Sequence, residues 1–550
     1  MNRSRRSVRL IAGGVRPPFS SGVAPAAGDM AGAHAGGGTL GHIVLLCLIP
    51  LLLMLNGCAL AGRSESRALP PAEAAQTRLG RELAAQVVAH PGESGILPLE
   101  DGASAFAARM LLIRAAEKTL DVQYYIWRQD ITGTLLLEAL REAAGRGVRV
   151  RLLLDDNGIA GLDATLAALD ALPGLEVRLF NPFSVRSPKA LGFVTHFSRA
   201  NRRMHNKSFT ADSQATIAGG RNIGDEYFGA AEGVLFADLD VLAVGAVVGE
   251  VAADFDRYWA SASAYPLDRI VSPPPVGEAA MLPAAADRAA NDERARRYLR
   301  ALRGNDFVVD AVAGRLPLQW SPVSMVSDDP RKGLGEAAEE ELLIHGLGRI
   351  LGRPRATVDL VSPYFVPTAA GVEALGALAA RGVRIRILTN ALEATDVAAV
   401  HAGYARRRVA LLQAGIVLYE LRRQATDTEV EDKAGPFGSS GSSLHAKTFA
   451  VDGKRVFVGS FNFDPRSARL NTELGFVIEN PALAGEVARA FDSRIPANAY
   501  ELRLDEAGLL YWLEPRADGT VVRHDSEPGT GFWRRFGVGV LSLLPIEWLL

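Results

Sequence analysis

Cysteine is nearly absent from the 550 residues: there are two, Cys47 and Cys58. Both fall in one apolar stretch near the N-terminus, so the rest of the chain has no thiol for a disulfide framework or a cysteine-rich metal site. An excess of charge of either sign is missing too. Lys and Arg number 60 against 62 Asp and Glu, a formal net charge of -2. With no extended basic run, the chain is not coated for nucleic-acid binding, although a local basic groove stays open. The apolar run Ile43–Leu55 measures about 20 Å as a helix, short of the ~30 Å core of a bilayer. What is present is ordinary for a folded globular protein: 48% hydrophobic and 22% charged residues. The length allows roughly two to four domains of about 150 residues.

Residues 1–57 read as a targeting segment. Gly, Ala and Arg dominate up to residue 41, without periodicity, and the apolar run then leads into Asn56-Gly57-Cys58-Ala59. A run of that length suits the apolar core of a signal peptide. Leu55-Asn56-Gly57-Cys58 resembles a bacterial lipobox, whose cysteine is acylated, although Asn56 is less usual at its position. The alternative is a buried apolar helix carrying an incidental cysteine. Removal of 1–57 takes away five Arg and one Asp, which leaves a mildly acidic chain of net charge -6. Residues 58–98 read as a tether or early helix.

The body is organised by an internal repeat. A strand-like run from Thr119, a helical segment over 135–144 and a second strand from Gly147 return in the same order from Thr357, over 372–380 and from Gly382. Strand, helix, strand in so short a span is a βαβ unit, with parallel pairing and helices over the sheet. The expected fold class is therefore α/β: two pseudo-symmetric lobes, each a mixed sheet flanked by helices, over 99–265 and 316–500. Residues 266–315 begin with Pro273-Pro274-Pro275 and an Ala-rich tract and read as a surface linker. A Gly/Ser-rich loop over 424–443 arrives directly before the second copy of the motif described next.

His205-Asn-Lys207-Ser-Phe-Thr-Ala-Asp212, followed by Gly219, Gly220 and Asn222, recurs as His445-Ala-Lys447-Thr-Phe-Ala-Val-Asp452, followed by Gly459, Ser460 and Asn462. The offset is 240 at every matched position. A lone His-x-Lys is usually a solvated strand edge; two copies in a repeated frame are not. On a strand, residues i and i+2 face one side, so each histidine and its lysine point together. Two lobes meeting face to face would bring two imidazoles and two ammonium groups into one cleft with Asn222 and Asn462. Tetrahedral phosphate is the natural guest. One neutral imidazole attacks phosphorus and its protonated twin delivers a proton to the leaving alkoxide.

With this twin motif, and with Gly219-Gly-Arg-Asn-Ile-Gly-Asp-Glu-Tyr-Phe228, Phe236-Ala-Asp-Leu-Asp240, Ser362-Pro-Tyr-Phe-Val-Pro367 and Asn462-Phe-Asp-Pro-Arg-Ser467, the chain resembles the phospholipase D superfamily over about 100–500. The similarity is strongest to bacterial cardiolipin synthases of the C type. It implies a double displacement through a phosphatidyl-histidine intermediate, without metal or other cofactor. By that resemblance His205 is the nucleophile and His445 the general acid and later the base, an order that the pseudo-symmetry leaves open. Lys207 and Lys447 complete the catalytic set with the motif aspartates Asp212 and Asp452, whose role is read as structural, at strand ends. Asn222, Asn462 and Ser460 are the phosphate ligands, and Asp238 and Glu473 the carboxylates behind the histidines. Gly220 departs from the family, which usually has there the serine seen at Ser460.

The implied function is phosphatidyl transfer to phosphatidylglycerol from a second phosphatidylglycerol or from phosphatidylethanolamine, at a membrane surface of the bacterial envelope, with lipid anchoring at Cys58. The alternatives are a hydrolytic phospholipase D with water as acceptor, a phosphodiesterase or nuclease of the same superfamily, and an inert membrane-binding scaffold. Two complete motifs count against the scaffold, and the acidic body counts against nucleic acid as partner. The Arg199/Arg202/Arg203 cluster reads either as an attractor of anionic headgroups or as a solvated loop. Over 501–550, Trp533, Arg534, Arg535 and Trp548 flank a short apolar stretch. It reads either as a segment lying in the membrane interface or as one packed on the core.

Overall fold

The computed structural model describes residues 66–550 apart from 187, 190, 232–234 and 424–441. The targeting segment, Cys58 and nearly all of the Gly/Ser-rich loop therefore lie outside the described residues. Residues 64–550 form one compact unit.

Two sheets carry the fold. The first contains β1 (Ser94–Leu99), β2 (Thr119–Ile126), β3 (Arg149–Gly158), β4 (Leu175–Phe180), β5 (Ser208–Ala211), β6 (Ala215–Gly219), β8 (Asp240–Gly245), β9 (Ala264–Pro266) and β10 (Gln319–Ser321), in the order β10-β1-β8-β6-β5-β2-β3-β4-β9. The second contains β11 (Val323–Ser327), β12 (Thr357–Val361), β13 (Arg384–Asn390), β14 (Val417–Leu421), β16 (Thr448–Val451), β17 (Arg455–Gly459), β18 (Leu474–Ile478), β19 (Ala499–Leu504), β20 (Leu510–Pro515) and β21 (Val521–His524), in the order β11-β18-β17-β16-β12-β13-β14-β19-β20-β21. A small parallel pair, β7 (Leu235–Ala237) with β15 (Ser442–Leu444), joins one lobe to the other.

The repeat read from sequence is the parallel heart of each sheet. β2, β3 and β4 pair in parallel, as do β12, β13 and β14. Their crossover helices run Ile131–Gly145 and Thr368–Ala380. The first starts where the Asp130 side chain accepts the Gly133 N–H and relieves an orphan donor. The remaining strands of both sheets pair antiparallel, so each sheet is mixed. Ile96, Ala218, Val241 and Ala243 of the first sheet share one buried cluster with Val361, Val456, Val458 and Phe476 of the second. At about 1.5–3 kcal/mol per fully buried aliphatic side chain, this shared layer welds the lobes together. Separate clusters lie under the helices on the two outer faces.

Three segments differ from expectation. The proposed linker folds as helices Glu278–Asn291, Glu293–Arg303 and Asp306–Val312. Alanine has the highest helix propensity and suits close helix packing, and Leu282 packs onto the first core; the proline triplet before it stays non-helical. The segment 58–98, read as a tether or early helix, holds helix Arg78–Ala89 and departs from that reading at its end, where β1 is a full member of the first sheet. The passage from lobe to lobe takes one residue, Pro322, between β10 of the first sheet and β11 of the second. At the other end, β19–β21 extend the second sheet before the chain enters helix Phe532–Leu543.

Candidate active site between the lobes

Neither motif histidine sits on a strand. His205-Asn-Lys207 and His445-Ala-Lys447 are extended three-residue approaches to β5 and β16. Their backbone donors turn to the opposite lobe: His205 N–H bonds the Thr472 carbonyl at 2.8 Å, and His445 and Ala446 N–H bond the Ala237 carbonyl at 2.8 and 3.0 Å. Thr472 and Ala237 immediately precede Glu473 and Asp238. The same crossing therefore sets the side chains. His205 Nδ1 donates to Glu473 Oε2 at 2.8 Å, and His445 Nδ1 to Asp238 Oδ2 at 2.5 Å. Each histidine is held by a carboxylate from the other lobe, which turns the remaining nitrogen, Nε2, toward the shared site.

Both histidines are 7% exposed, and Lys207, Lys447, Asp238 and Glu473 are buried. The lysines fold back on their histidines. Lys207 Nζ bonds the His205 carbonyl at 2.5 Å, and Lys447 Nζ bonds the His445 carbonyl and lies 3.2 Å from Nε2. Burial pushes the Lys207 ammonium down to about 7 and the Lys447 ammonium down to about 8. Two desolvated ammonium groups so close together need an anion.

The pairs differ in proton state. Burial, then Lys207, Lys447 and His445, drive His205 well below its ordinary pKa. Burial also pushes its partner Glu473 up to about 7, against the pull of Lys207. In the other pair, burial of Asp238 is overcome by His445 and Lys447, which hold that carboxyl well below its usual range. His445 is lowered by burial and Lys447, but Asp238 pulls it back. Thus His205 is a neutral imidazole and His445 has a fully ionised carboxylate to support an imidazolium.

Other expected site residues divide. Asp212 and Asp452 are not at the reacting cluster. Both sit at positive φ, 50° and 54°, in the β5–β6 and β16–β17 turns. Asp212 accepts the N–H groups of Glu117, Lys118 and Thr119, and Asp452 those of Arg355, Ala356 and Thr357. They tie the hairpin to the start of β2 or β12, a structural task in place of the catalytic grouping. Asn222 accepts from Ile126 N–H and donates to Tyr227 Oη, which leaves one amide hydrogen for a phosphate oxygen. The Asn462 side-chain oxygen is buried without a partner among the described residues. Ser460, expected on phosphate, instead gives its hydroxyl to Glu473 Oε2 and accepts Leu474 N–H at 3.0 Å.

Gly220 follows from the same geometry. A Cβ there would overlap Asp238 Oδ1. The first lobe has Gly220 and Asp238 where the second has Ser460 and Glu473: the aspartate carboxyl fills the space of the missing serine.

Several site residues were not singled out from sequence. Tyr125 packs edge-on against His205, with ring centroids 5.1 Å apart, and Tyr227 and Phe236 pack against His445 at 5.2 and 5.1 Å. Arg221 bonds the carbonyls of Leu99, Glu100 and Asp238. Asp328 accepts the Glu473 N–H at 2.9 Å and pairs with buried Lys332 at 2.8 Å. Tyr227, Phe236 and Arg221 all lay inside runs quoted above for the resemblance. Asp328 and Lys332 gave no signal.

Compared with known proteins, the chain matches the family described as "Cardiolipin synthase, PLD-like domain" twice, over residues 110–259 and 347–495. It is 52% identical over 464 residues to cardiolipin synthase C of Escherichia coli (strain K12), an alignment of 84% of this chain and 97% of that protein. With a cardiolipin synthase of Clostridium perfringens (strain SM101 / Type A) it shares 25% identity over 394 residues, 71% of this chain and 68% of that one. Among solved structures, the phosphatidylserine synthase of Haemophilus influenzae Rd KW20 superposes with a TM-score of 0.53 at 15% identity, covering 86% of this chain and all of that one. That likeness is one of fold.

Proposed function

The chain belongs to the cardiolipin synthase family of phospholipase D-like proteins, and from that premise we propose that it is a phosphatidyltransferase that makes cardiolipin. The observation that carries the chemistry is the crossed pair of histidine–carboxylate contacts, which makes one reaction centre from both lobes.

In the first half-reaction neutral His205 attacks the phosphorus of a donor phospholipid through Nε2, and a P–N bond forms as the P–O bond to the headgroup breaks. His445 carries a proton on Nε2 and gives it to the departing alkoxide, which leaves as glycerol from phosphatidylglycerol or as ethanolamine from phosphatidylethanolamine. Lys207, Lys447 and the free amide hydrogens of Asn222 and Asn462 face the charge on the phosphoryl oxygens. Glu473 balances the positive charge on phosphorylated His205. In the second half, His445 takes the proton from a free hydroxyl of phosphatidylglycerol. That oxygen attacks phosphorus, the P–N bond breaks, and cardiolipin leaves with His205 neutral again. The depressed pKa of His205 supports its role as nucleophile, and ionised Asp238 supports His445 as acid and base. The burial of both histidines, each 7% exposed, supports an alcohol acceptor over water.

We take the phospholipid substrates to be met at the bacterial membrane surface, with Cys58 as the lipidated anchor and no nucleic-acid partner. The test is product analysis of the full chain with phosphatidylglycerol, with and without phosphatidylethanolamine, beside His205→Ala. Cardiolipin that needs the intact histidine is the expected result, and dependence on phosphatidylethanolamine would name the donor. Phosphatidic acid without cardiolipin would make the protein a hydrolase.

A further inference from the structure

Among the described residues, exposed aliphatic side chains such as Val88, Val276, Val312 and Leu509 are spread over the surface, but the exposed aromatic ones are not. Every exposed phenylalanine and tryptophan lies on one of two segments: Phe193 and Phe197 on the short helices Leu191–Thr195 and Phe197–Ala200 of the first lobe, and Phe532, Trp533, Phe536 and Trp548 on helix Phe532–Leu543 and the tail beyond it. Val194 and Leu543 add to them at 80% and 82% exposure. The C-terminal helix is amphipathic, and only Val538 of its side chains is buried, against Leu392 and Ala402.

These two patches are distant in sequence, and their ends are tied to one residue, Arg466. The Arg466 guanidinium bonds both the carbonyl and the side-chain oxygen of Asn201, the residue that ends helix Phe197–Ala200, and also the carbonyl of Leu549. Its backbone N–H bonds the Leu550 carbonyl at 2.7 Å. The tail is held again by Arg407 on Glu547. Each patch is also tied toward the reaction centre. Asn201, which Arg466 bonds, lies four residues before His205. Arg534 at the start of the C-terminal helix bonds the Thr395 carbonyl beside Ala394, whose own carbonyl takes the hydroxyl of Ser443, two residues before His445, at 3.0 Å.

Charge decides what such a surface fits. Arg199 and Arg202 stand by the first patch and Arg534 and Arg535 by the second, and among the described residues none of the four pairs with a carboxylate; their partners are amide and carbonyl oxygens. The carboxylates flanking the C-terminal helix, Glu527 and Glu547, are neutralised by Arg408 and Arg407. Aromatic side chains with unpaired arginines are the composition that settles at an anionic lipid interface. Among the described residues no helix is long and apolar enough to cross a membrane. A second copy of this chain would bring the same four arginines against each other.

We propose that these two patches form one bipartite platform that docks on an anionic phospholipid bilayer and presents the cleft to it. The inference rests on the lipid-transferase reading and adds which surface meets the lipid. Reconstitution of the full chain into vesicles of phosphatidylglycerol and phosphatidylethanolamine with brominated acyl chains tests it by tryptophan quenching. Strong quenching is expected, lost in Trp533→Phe/Trp548→Phe and regained when Val194→Trp is added to that double variant. In parallel, Phe193→Ser/Phe197→Ser and Phe532→Ser/Phe536→Ser should each lose tenfold or more of the rate on vesicles. Both should stay within twofold of the parent on dispersed short-chain lipid. Quenching unchanged by Trp533→Phe/Trp548→Phe, an unquenched Trp at 194, or cross-linking of two chains through the C-terminal helix would overturn the platform. Turnover without quenching defeats the platform alone, and quenching without turnover defeats the transferase reading alone.

Discussion

In the first lobe Gly220 leaves a space that the Asp238 carboxyl fills, Arg221 bonds the backbone behind it, and the pair presents a fixed negative charge to His445. In the second lobe Ser460 keeps its hydroxyl and gives it to Glu473, which faces His205 as a carboxyl that titrates near neutrality. The lobes share their strand order, motif spacing and crossed wiring, yet they deliver opposite electrostatics to two otherwise equivalent imidazoles. A symmetric frame with two differing residues on each side, Gly220 and Asp238 against Ser460 and Glu473, is enough to give the histidines different work. Phosphoryl transfer asks for that difference: one imidazole must be unprotonated when the other is not.

Removing either histidine breaks the comparison most severely. His445→Ala should lower cardiolipin formation by about a hundred- to ten-thousand-fold, and His205→Ala by at least as much. A donor lipid with a nitrophenolate leaving group separates them, since that group departs without a proton. His445→Ala should then still release a burst of nitrophenolate while His205→Ala releases none; a burst from His205→Ala alone would reverse the assignment.

The carboxylates come next. Asp238→Asn should cost about ten- to a hundredfold at all pH values, because it removes the charge that supports the His445 imidazolium. Glu473→Gln mimics a carboxyl already protonated in the native protein below about 7. Its penalty should therefore be small at pH 6 and grow as pH rises through 7, where the native residue ionises and the variant does not. Equal pH profiles for the two variants would erase the distinction between the lobes.

Much of this frame was legible in the residues. The βαβ repeat and the twin motif at constant offset marked two lobes and one shared histidine–lysine cluster, because a 240-residue repeat leaves its register in the sequence. The crossing was not legible. Asp238 and Glu473 were named, but nothing in their spacing tells that each serves the histidine of the other lobe; that follows from the backbone bonds of Ala237 and Thr472. Asp328 and Lys332 lie outside the repeat and become neighbours of Glu473 only on folding. The linker was misread because proline and alanine were taken together, although only the proline stretch resists helix. The Ser460 hydroxyl, expected on phosphate, bonds Glu473, a partner eleven residues beyond Asn462 that its place in the motif does not reveal.

A smaller contrast tests the frame away from the chemistry. Gly220→Ser pushes a side chain into the Asp238 carboxyl and should displace it from His445, lowering both activity and Tm, with activity falling about tenfold or more if it matches the loss of the carboxylate. Ser460→Gly removes the hydrogen bond to Glu473 and the acceptor of the Leu474 N–H, about 1 kcal/mol for each bond, and should lower Tm with a modest loss of rate. The positions align in the repeat, so similar effects from the two exchanges would mean that the lobes are interchangeable after all.

The motif aspartates give the finest test, since they perform one structural task in two settings. Asp212 is wholly buried and takes three N–H groups of the chain entering β2. Asp452 is itself only half-buried and takes its three at a more exposed turn, where the bonds from Arg355 and Ala356 lie in solvent while those to Asp212 from Glu117 and Lys118 are part-buried. Alanine at either site orphans the same donors, but water can replace the acceptor only where it reaches them, and an unsatisfied buried donor costs about 1–3 kcal/mol. Asp212→Ala should therefore lower unfolding free energy in urea more than Asp452→Ala. Asparagine, which tolerates the positive φ of both turns, should recover part of the loss at each site. Turnover per folded molecule should stay near that of the parent in all four variants, because neither carboxylate bonds a histidine. A fall in turnover at unchanged stability would return these residues to the reaction itself.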